Sequence, residues 1–195
     1  VCVNLSRILV PKSRESEILE VLASKYNSFE IGDPLLANSQ QGPISVYRGL
    51  ERTEQYVSSA KQEGALIVTG GKKPSKFEKG WWYEPTLISN TNNSMRVVRE
   101  EIFGPVTSVM TYTDHNEAIK FANESEFGLA ASIYGKDEDL MMNMAKQIES
   151  GSVAINTAGI SFMQPFGGYK KSGWGKECGD EGILEFTQLK QIIRG

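Results

Sequence analysis

Histidine is almost absent from this sequence: among 195 residues there is one, His115. It lies in "TDHNEAIKFANES", which reads as the start of a helix. A Ser-His-Asp hydrolase or a His-ligated metal centre would have to rest on that residue alone, so both classes are set aside and no metal site is expected. Cysteine is nearly as scarce. Cys2 and Cys178 lie far apart and form no metal-type pair, which points to a reducing compartment, the cytoplasm by expectation. Positive charge is not in excess either. Lys and Arg total 21 against 24 Asp and Glu, a net charge of -3. That leaves no electrostatic case for nucleic acid or an anionic membrane as partner.

Long apolar runs are missing too. "SRILVP" and "GALIVTG" fall far short of the roughly 20 residues that cross a bilayer, and their flanks are polar. The opening "VCVNLSRILV" has neither a charged start nor an initiator Met. No secretory leader is expected from it, and the chain is expected to be part of a longer protein. Neither a GxGxxG nor a GxxxxGK[ST] phosphate loop occurs.

What is present is a soluble globular composition, 39% hydrophobic and 23% charged, at a length that supports one well-cored domain or a domain with an appendage. Short β-branched runs alternate with amphipathic stretches. "SRILVP", "ALIVTG", "PVTSVMTY", "LAASIYG" and "SVAINT" read as strands. "SRESEILEVLASKYNSF" places Ile18, Leu19, Leu22 and Tyr26 at helical spacing, and a second helix runs from about Val46 to Glu63, stopped by Gly64. "TDHNEAIKFANES", capped by Thr113 or Asp114, and "DEDLMMNMAKQIESG" are two more. This alternation predicts an α/β fold, a layered sheet with mostly parallel strands and flanking helices.

Three stretches hold residues suited to chemistry. "REEIFGPV" sets two acids and an Ile-Phe pair before Gly104-Pro105, which fits a turn with a core plug as well as a site. "PFGGYKKSGWGKECG" has glycines at 167, 168, 173, 175 and 179, which permit close backbone approach to a ligand or to a neighbouring element. Cys2 is a nucleophile if its surroundings lower its pKa, and a small hydrophobe otherwise.

Taken in order, "VCVNLSRILVP", "IGDPLLANSQQGP", "GWWYEPTLI", "REEIFGPV", "NESEFGLAASIY", "SGSVAIN" and "PFGGYKKSGWGKE" resemble the C-terminal part of the NAD(P)-dependent aldehyde dehydrogenase superfamily. The resemblance runs over essentially the whole chain. It implies that Cys2, five residues before Arg7, is the catalytic nucleophile, its backbone N–H a donor to the oxyanion. It further implies that Glu101 hydrogen-bonds the nicotinamide ribose and that Phe103 packs against the cofactor, NAD or NADP. Phe166 resembles the aromatic lining the substrate tunnel, with Phe162 its companion; core packing is the rival reading for both. Asn156 reads as structural, and Cys178 takes no family role.

The resemblance implies oxidation of a small-molecule aldehyde to an acid through a thiohemiacetal and a thioester on Cys2. Residues 1–186 would form the catalytic domain, and 187–195 a C-terminal strand like the one that joins the family's oligomerisation sheet, making a homo-oligomer the expected state. Family members are usually more than twice this length. Their first half carries the Rossmann-type cofactor domain, the Glu that activates water and the Asn of the oxyanion hole, so this chain is expected to be inactive alone. Two other readings stay open: an acylating enzyme that uses coenzyme A or phosphate, and a non-catalytic assembly unit of the same fold.

Overall fold

The computed structural model describes residues 2–195; Val1, the first residue of the expected catalytic domain, lies outside the described residues. Two compact units are distinguished, one of residues 5–121 and one of residues 2–4 with 122–195, so the described chain does not divide at the expected boundary of 186/187.

The first unit is built on a sheet of four strands, β1 (Arg7–Pro11), β2 (Leu66–Thr69), β3 (Thr86–Ser89) and β4 (Val106–Tyr112), in the order β1-β4-β3-β2. β4 runs parallel to β1 and to β3, and only β2 at one edge is antiparallel. Neighbouring residues on each strand serve opposite faces, as the two-residue period of a strand requires. Val10, Leu87 and Val109 gather on one face with Ile18, Leu19, Leu22 and Tyr26 of helix α1 (Glu15–Asn27). Ile88, Val106 and Met110 turn to the other, where they meet Leu50, Tyr56, Val57 and Ala60 of helix α2 (Tyr47–Gln62). Both faces are therefore covered, which explains why β3 and most of β4 read as unbroken apolar or small runs rather than as alternation.

Tyr26 and Tyr83 show how polar groups are accommodated in this core. The Tyr26 hydroxyl donates to Thr107 Oγ1 at 2.7 Å. Burial pushes the Tyr83 phenol up to about 12, so it stays neutral across the working range of the protein. A short helix that the sequence pattern did not disclose, α3 (Arg96–Arg99), follows β3. Four residues are too few to show a period, and Val97 and Val98 are buried side by side rather than at helical spacing.

Helix α4 (His115–Asn123) begins where Thr113 or Asp114 was expected to cap it, and both residues take part. Asp114 Oδ1 accepts from the Glu117 N–H at 3.0 Å, while the Glu117 carboxylate accepts from the Thr113 N–H at 2.6 Å.

The second unit has two small sheets, β5 (Phe127–Gly128) antiparallel to β8 (Tyr169–Lys170) and β6 (Ala130–Ile133) parallel to β7 (Ser152–Ile155). Helix α5 (Glu138–Ala145) connects β6 to β7, and Asp137 caps it by accepting from the Leu140 N–H at 3.0 Å. Of its methionine pair, Met141 is buried and Met142 is half exposed, so one of the two fills the core. Helix α6 (Gly179–Leu184) follows the glycine-rich stretch.

Residues 187–195, expected as a strand, form none in the single chain. Phe186, Leu189, Ile192 and Ile193 are almost fully exposed. A strand needs a hydrogen-bonding neighbour, and among the described residues no strand pairs with the tail. The contrast between core and tail sets an expected outcome: in chemical denaturation of the isolated chain, Ile88→Ala costs about 2–5 kcal/mol. Leu189→Ala shifts stability by less than about 0.5 kcal/mol.

Candidate functional site

The segment 99–106 links α3 to β4, and its residues alternate in what they touch. Glu100 is held by side-chain hydrogen bonds, Ile102 is 4% exposed in the core, and Gly104 lies against helix α2. Between them Glu101 is exposed, and Phe103 is 54% exposed although it is a large apolar ring.

Each pin has a definite partner. The Tyr56 hydroxyl, on α2, donates to Glu100 Oε2 at 2.6 Å. Arg96 Nε and Nη2 donate to the two Glu100 oxygens at 3.1 Å each, in the bidentate geometry a guanidinium favours. The same guanidinium lies 5.0 Å from the centre of the Tyr56 ring. Glu63, just past the end of α2, accepts from the Arg96 backbone N–H at 3.1 Å. At the far side of the segment a Cβ on residue 104 would fall on the Thr53 hydroxyl, which is fully buried and donates to the Gly49 carbonyl at 2.8 Å. Thr53 and Tyr56 stand three residues apart, so one side of α2 supplies both contacts.

Phe103 adopts a φ of 50°, a left-handed conformation that a bulky side chain rarely takes. Such strain costs about 1–3 kcal/mol and persists only where the surroundings enforce it. Here Ile102 and Gly104 do so from either side. The Pro105 carbonyl then accepts from the Thr86 N–H at 2.8 Å, and β4 begins at the next residue.

The electrostatics follow from these contacts. The Arg96 guanidinium, and after it the Tyr56 hydroxyl, hold the Glu100 carboxyl below its ordinary 4.5. Tyr56 is shifted up, first by burial and then by its bond to Glu100. Because the Glu100 value is lowered in the folded state, its stabilising effect is complete above 4.5 and disappears as pH falls through the lowered value. The ion pair is about half exposed, so solvent screening keeps its contribution to stability small.

The other sequence-predicted residues belong to the second unit. Cys2 is exposed and unpaired. Phe166 is tied by a two-way backbone pair with Glu177, at 2.7 and 2.8 Å, while Phe162, which is 74% exposed, offers its carbonyl to the Gly179 N–H at 3.5 Å. Phe162 is therefore not part of the core formed by the described residues. A groove of about 560 Å³ is lined by Ser152, Thr157, Ser161, Gln164 and Phe166 among others. One wall depends on a close approach: a Cβ at residue 151 would overlap the Gly167 carbonyl oxygen, so glycine at 151 lets the glycine-rich loop lie against the start of β7.

Asn156 is structural, as read from the sequence. Its Oδ1 accepts from the Gly135 N–H at 2.9 Å and its N–H donates to the Ile133 carbonyl, closing the β6–β7 pair. Cys178 precedes α6 with a φ of 65°, and its carbonyl accepts from the Gly182 N–H. His115 is the first residue of α4. Among the described residues no group of three or more His, Cys, Asp or Glu could hold a metal ion, and no helix is long and apolar enough to cross a membrane.

Tyr56, Arg96 and Thr53 escaped the sequence reading. Arg96 and Glu100 stand four residues apart, a spacing that foretells their pair once α3 is known, but nothing in the sequence ties α2 to the segment.

The sequence pattern of the Aldehyde dehydrogenase family matches residues 1–192. A Staphylococcus saprophyticus protein that carries the same family's name is 42% identical over 193 residues, which cover 98% of this chain and 41% of that protein. The crystal structure of betaine aldehyde dehydrogenase from Staphylococcus aureus with NAD+ is 38% identical. It superposes with a TM-score of 0.93 over 95% of this chain and 38% of that one. Mycobacterium tuberculosis aldehyde dehydrogenase with NAD+ is 37% identical, with a TM-score of 0.94 over 96% of this chain and 39% of that one. This chain thus spans about two fifths of the length of these relatives.

The lowered Glu100 value sets an expected outcome. Glu100→Gln should lower stability slightly at neutral pH, measured by chemical denaturation. The difference from the unsubstituted chain should vanish well below pH 4.5, where both carry a neutral group.

Proposed function

This chain belongs to the aldehyde dehydrogenase family, and we propose that it supplies the nucleophile and the ribose-facing segment for NAD+-dependent oxidation of an aldehyde to a carboxylic acid. The observation that carries the reading is the alternation at residues 100–104, which leaves Glu101 and the strained Phe103 exposed while their neighbours are fixed. These residues suit the cofactor. The Glu101 carboxylate makes no hydrogen bond among the described residues, so both its oxygens are available to accept from the two vicinal hydroxyls of a ribose. The Phe103 ring offers a flat apolar face for a planar ring. NAD+ is taken as the cofactor in preference to NADP because both compared structures hold it.

Cys2, as thiolate, attacks the aldehyde carbon. A sulfur–carbon bond forms, the carbonyl π pair moves to oxygen, and the Cys2 backbone N–H donates to that oxygen. NAD+, when bound, supplies the acceptor for the hydride that leaves the carbon. The oxygen pair re-forms the carbonyl as a thioester on Cys2, and water then releases the acid and restores the thiol. The exposed position of Cys2 supports ready access for the aldehyde. Phe166 and Phe162 line the aldehyde's path, Phe166 from the wall of the groove.

In the family the water-activating Glu and the oxyanion Asn lie in the part of the relatives that this chain does not cover. We assign residues 187–195 to strand pairing with a second copy, which would cover the exposed Leu189, Ile192 and Ile193 and make the assembled protein a homo-oligomer.

The test is NADH formation with a panel of aldehydes. In the native protein that carries this chain, turnover should be lost on Cys2→Ala, and the product should be free acid without added coenzyme A or phosphate. The 195-residue chain alone should give no turnover. Turnover that survives Cys2→Ala would overturn the assignment of the nucleophile. Product formation that depends on coenzyme A or phosphate would move the protein to the acylating class. In the native protein Cys2 should also alkylate faster than Cys178 at neutral pH, read by mass mapping of each cysteine.

A further inference from the structure

Glu100 is the residue in the 100–104 segment whose contacts neither the core nor the cofactor reading explains. It sits beside the proposed ribose ligand, yet its carboxylate is committed to Tyr56 Oη at 2.6 Å and to Arg96 Nε and Nη2 at 3.1 Å. A surface acid that served solubility would need no such set. The partners are themselves fixed. Tyr56 is 7% exposed within the α2 side of the core, and Arg96 is located by the Glu63 bond to its N–H and by its position 5.0 Å from the Tyr56 ring. The cluster therefore anchors the upstream end of the segment, as the Thr53 contact with Gly104 anchors the downstream end.

We propose that Glu100, clamped by Tyr56 and Arg96, is a positioning residue that sets the presentation of Glu101 and Phe103 to the nicotinamide riboside, and so sets cofactor affinity. This rests on the reading of Glu101 as the ribose ligand. The reasoning is geometric. Residue 101 is joined to residue 100 by a single peptide plane, and Ile102 fixes the next one. With the Glu100 side chain held, the direction of Glu101 is determined from both sides. With it released, the segment pivots on Ile102, and Glu101 samples directions that miss the ribose. Preorganised contacts lose affinity when that sampling is restored.

Two substitutions release the clamp gently. Tyr56→Phe keeps the ring in the core and removes the donor. Glu100→Gln keeps length and shape but removes the charge that Arg96 holds. Binding of NADH to the native protein is followed by cofactor fluorescence, with KM for NAD+ and for the aldehyde measured alongside. Both variants should weaken NADH binding roughly threefold to tenfold, and raise KM for NAD+ in step, with KM for the aldehyde within about twofold of the unsubstituted protein. Val10→Ala, a change in the core on the opposite face of the sheet, controls for stability: it should lower the melting temperature and leave NADH binding unchanged.

Unchanged NADH affinity in Tyr56→Phe and Glu100→Gln, beside a clear loss in Glu101→Gln, would overturn the positioning role and leave the ribose assignment standing. Unchanged affinity in Glu101→Gln would remove the ribose assignment and the proposal with it. Equal weakening by Val10→Ala would reduce the cluster to general stability and also overturn it.

Discussion

The Thr53 side chain fills the space in which a side chain at residue 104 would have to lie. Much of the first unit's chemistry depends on that one steric fact. It brings the backbone of the segment onto helix α2 at the point where β4 begins, and it leaves Phe103 between two fixed neighbours in a conformation the residue would not choose. α2 is itself held by Leu50, Val57 and Ala60 packed on Ile88, Val106 and Met110. The hydrophobic layer on that face of the sheet is thus the base on which Glu101 and Phe103 are mounted. Strained, exposed aromatics are costly, and this one persists because its two neighbours hold it.

The second unit uses a different device. Its sheets have two strands each, and its loops are held by specific polar ties rather than by a deep core. Lys170 donates to the carbonyls of Asn123 and Ser125 and pairs with Glu149 at 2.6 Å. Asn123 in turn bonds the Gln147 carbonyl and the Glu149 N–H, each at 2.8 Å. Glycine at 151 allows the loop that carries Phe166 to lie against β7, so the groove there is shaped by backbone proximity. Loops of this kind, set on a small scaffold, are where binding residues concentrate.

Much of this was legible in the sequence, for physical reasons that differ from element to element. β4 announced itself as a buried β-branched run, α2 as a helical stretch stopped by Gly64, and α4 through the cap expected at Thr113 or Asp114. The mostly parallel sheet followed from the alternation of elements. Glu101 and Phe103 were legible only through resemblance, since "REEIFGPV" by itself reads equally well as a turn. What stayed hidden is tertiary. The helix at 96–99 is too short to show a period, and the clamp on Glu100 comes from a tyrosine 44 residues earlier. The left-handed backbone at a phenylalanine has no sequence signal at all. The tail at 187–195 has a strand's composition, but a strand forms only where something pairs with it.

The account rests on one spatial claim, that the alternation at 100–104 exists to turn Glu101 and Phe103 toward the cofactor. A crystal structure of the native protein with NAD+ bound tests it most directly. The account predicts the Glu101 carboxylate within hydrogen-bond distance of both hydroxyls of the nicotinamide ribose, with the Phe103 ring against the nicotinamide and Glu100 still joined to Tyr56 and Arg96. A ribose held by other residues while Glu101 remains in solvent would contradict it.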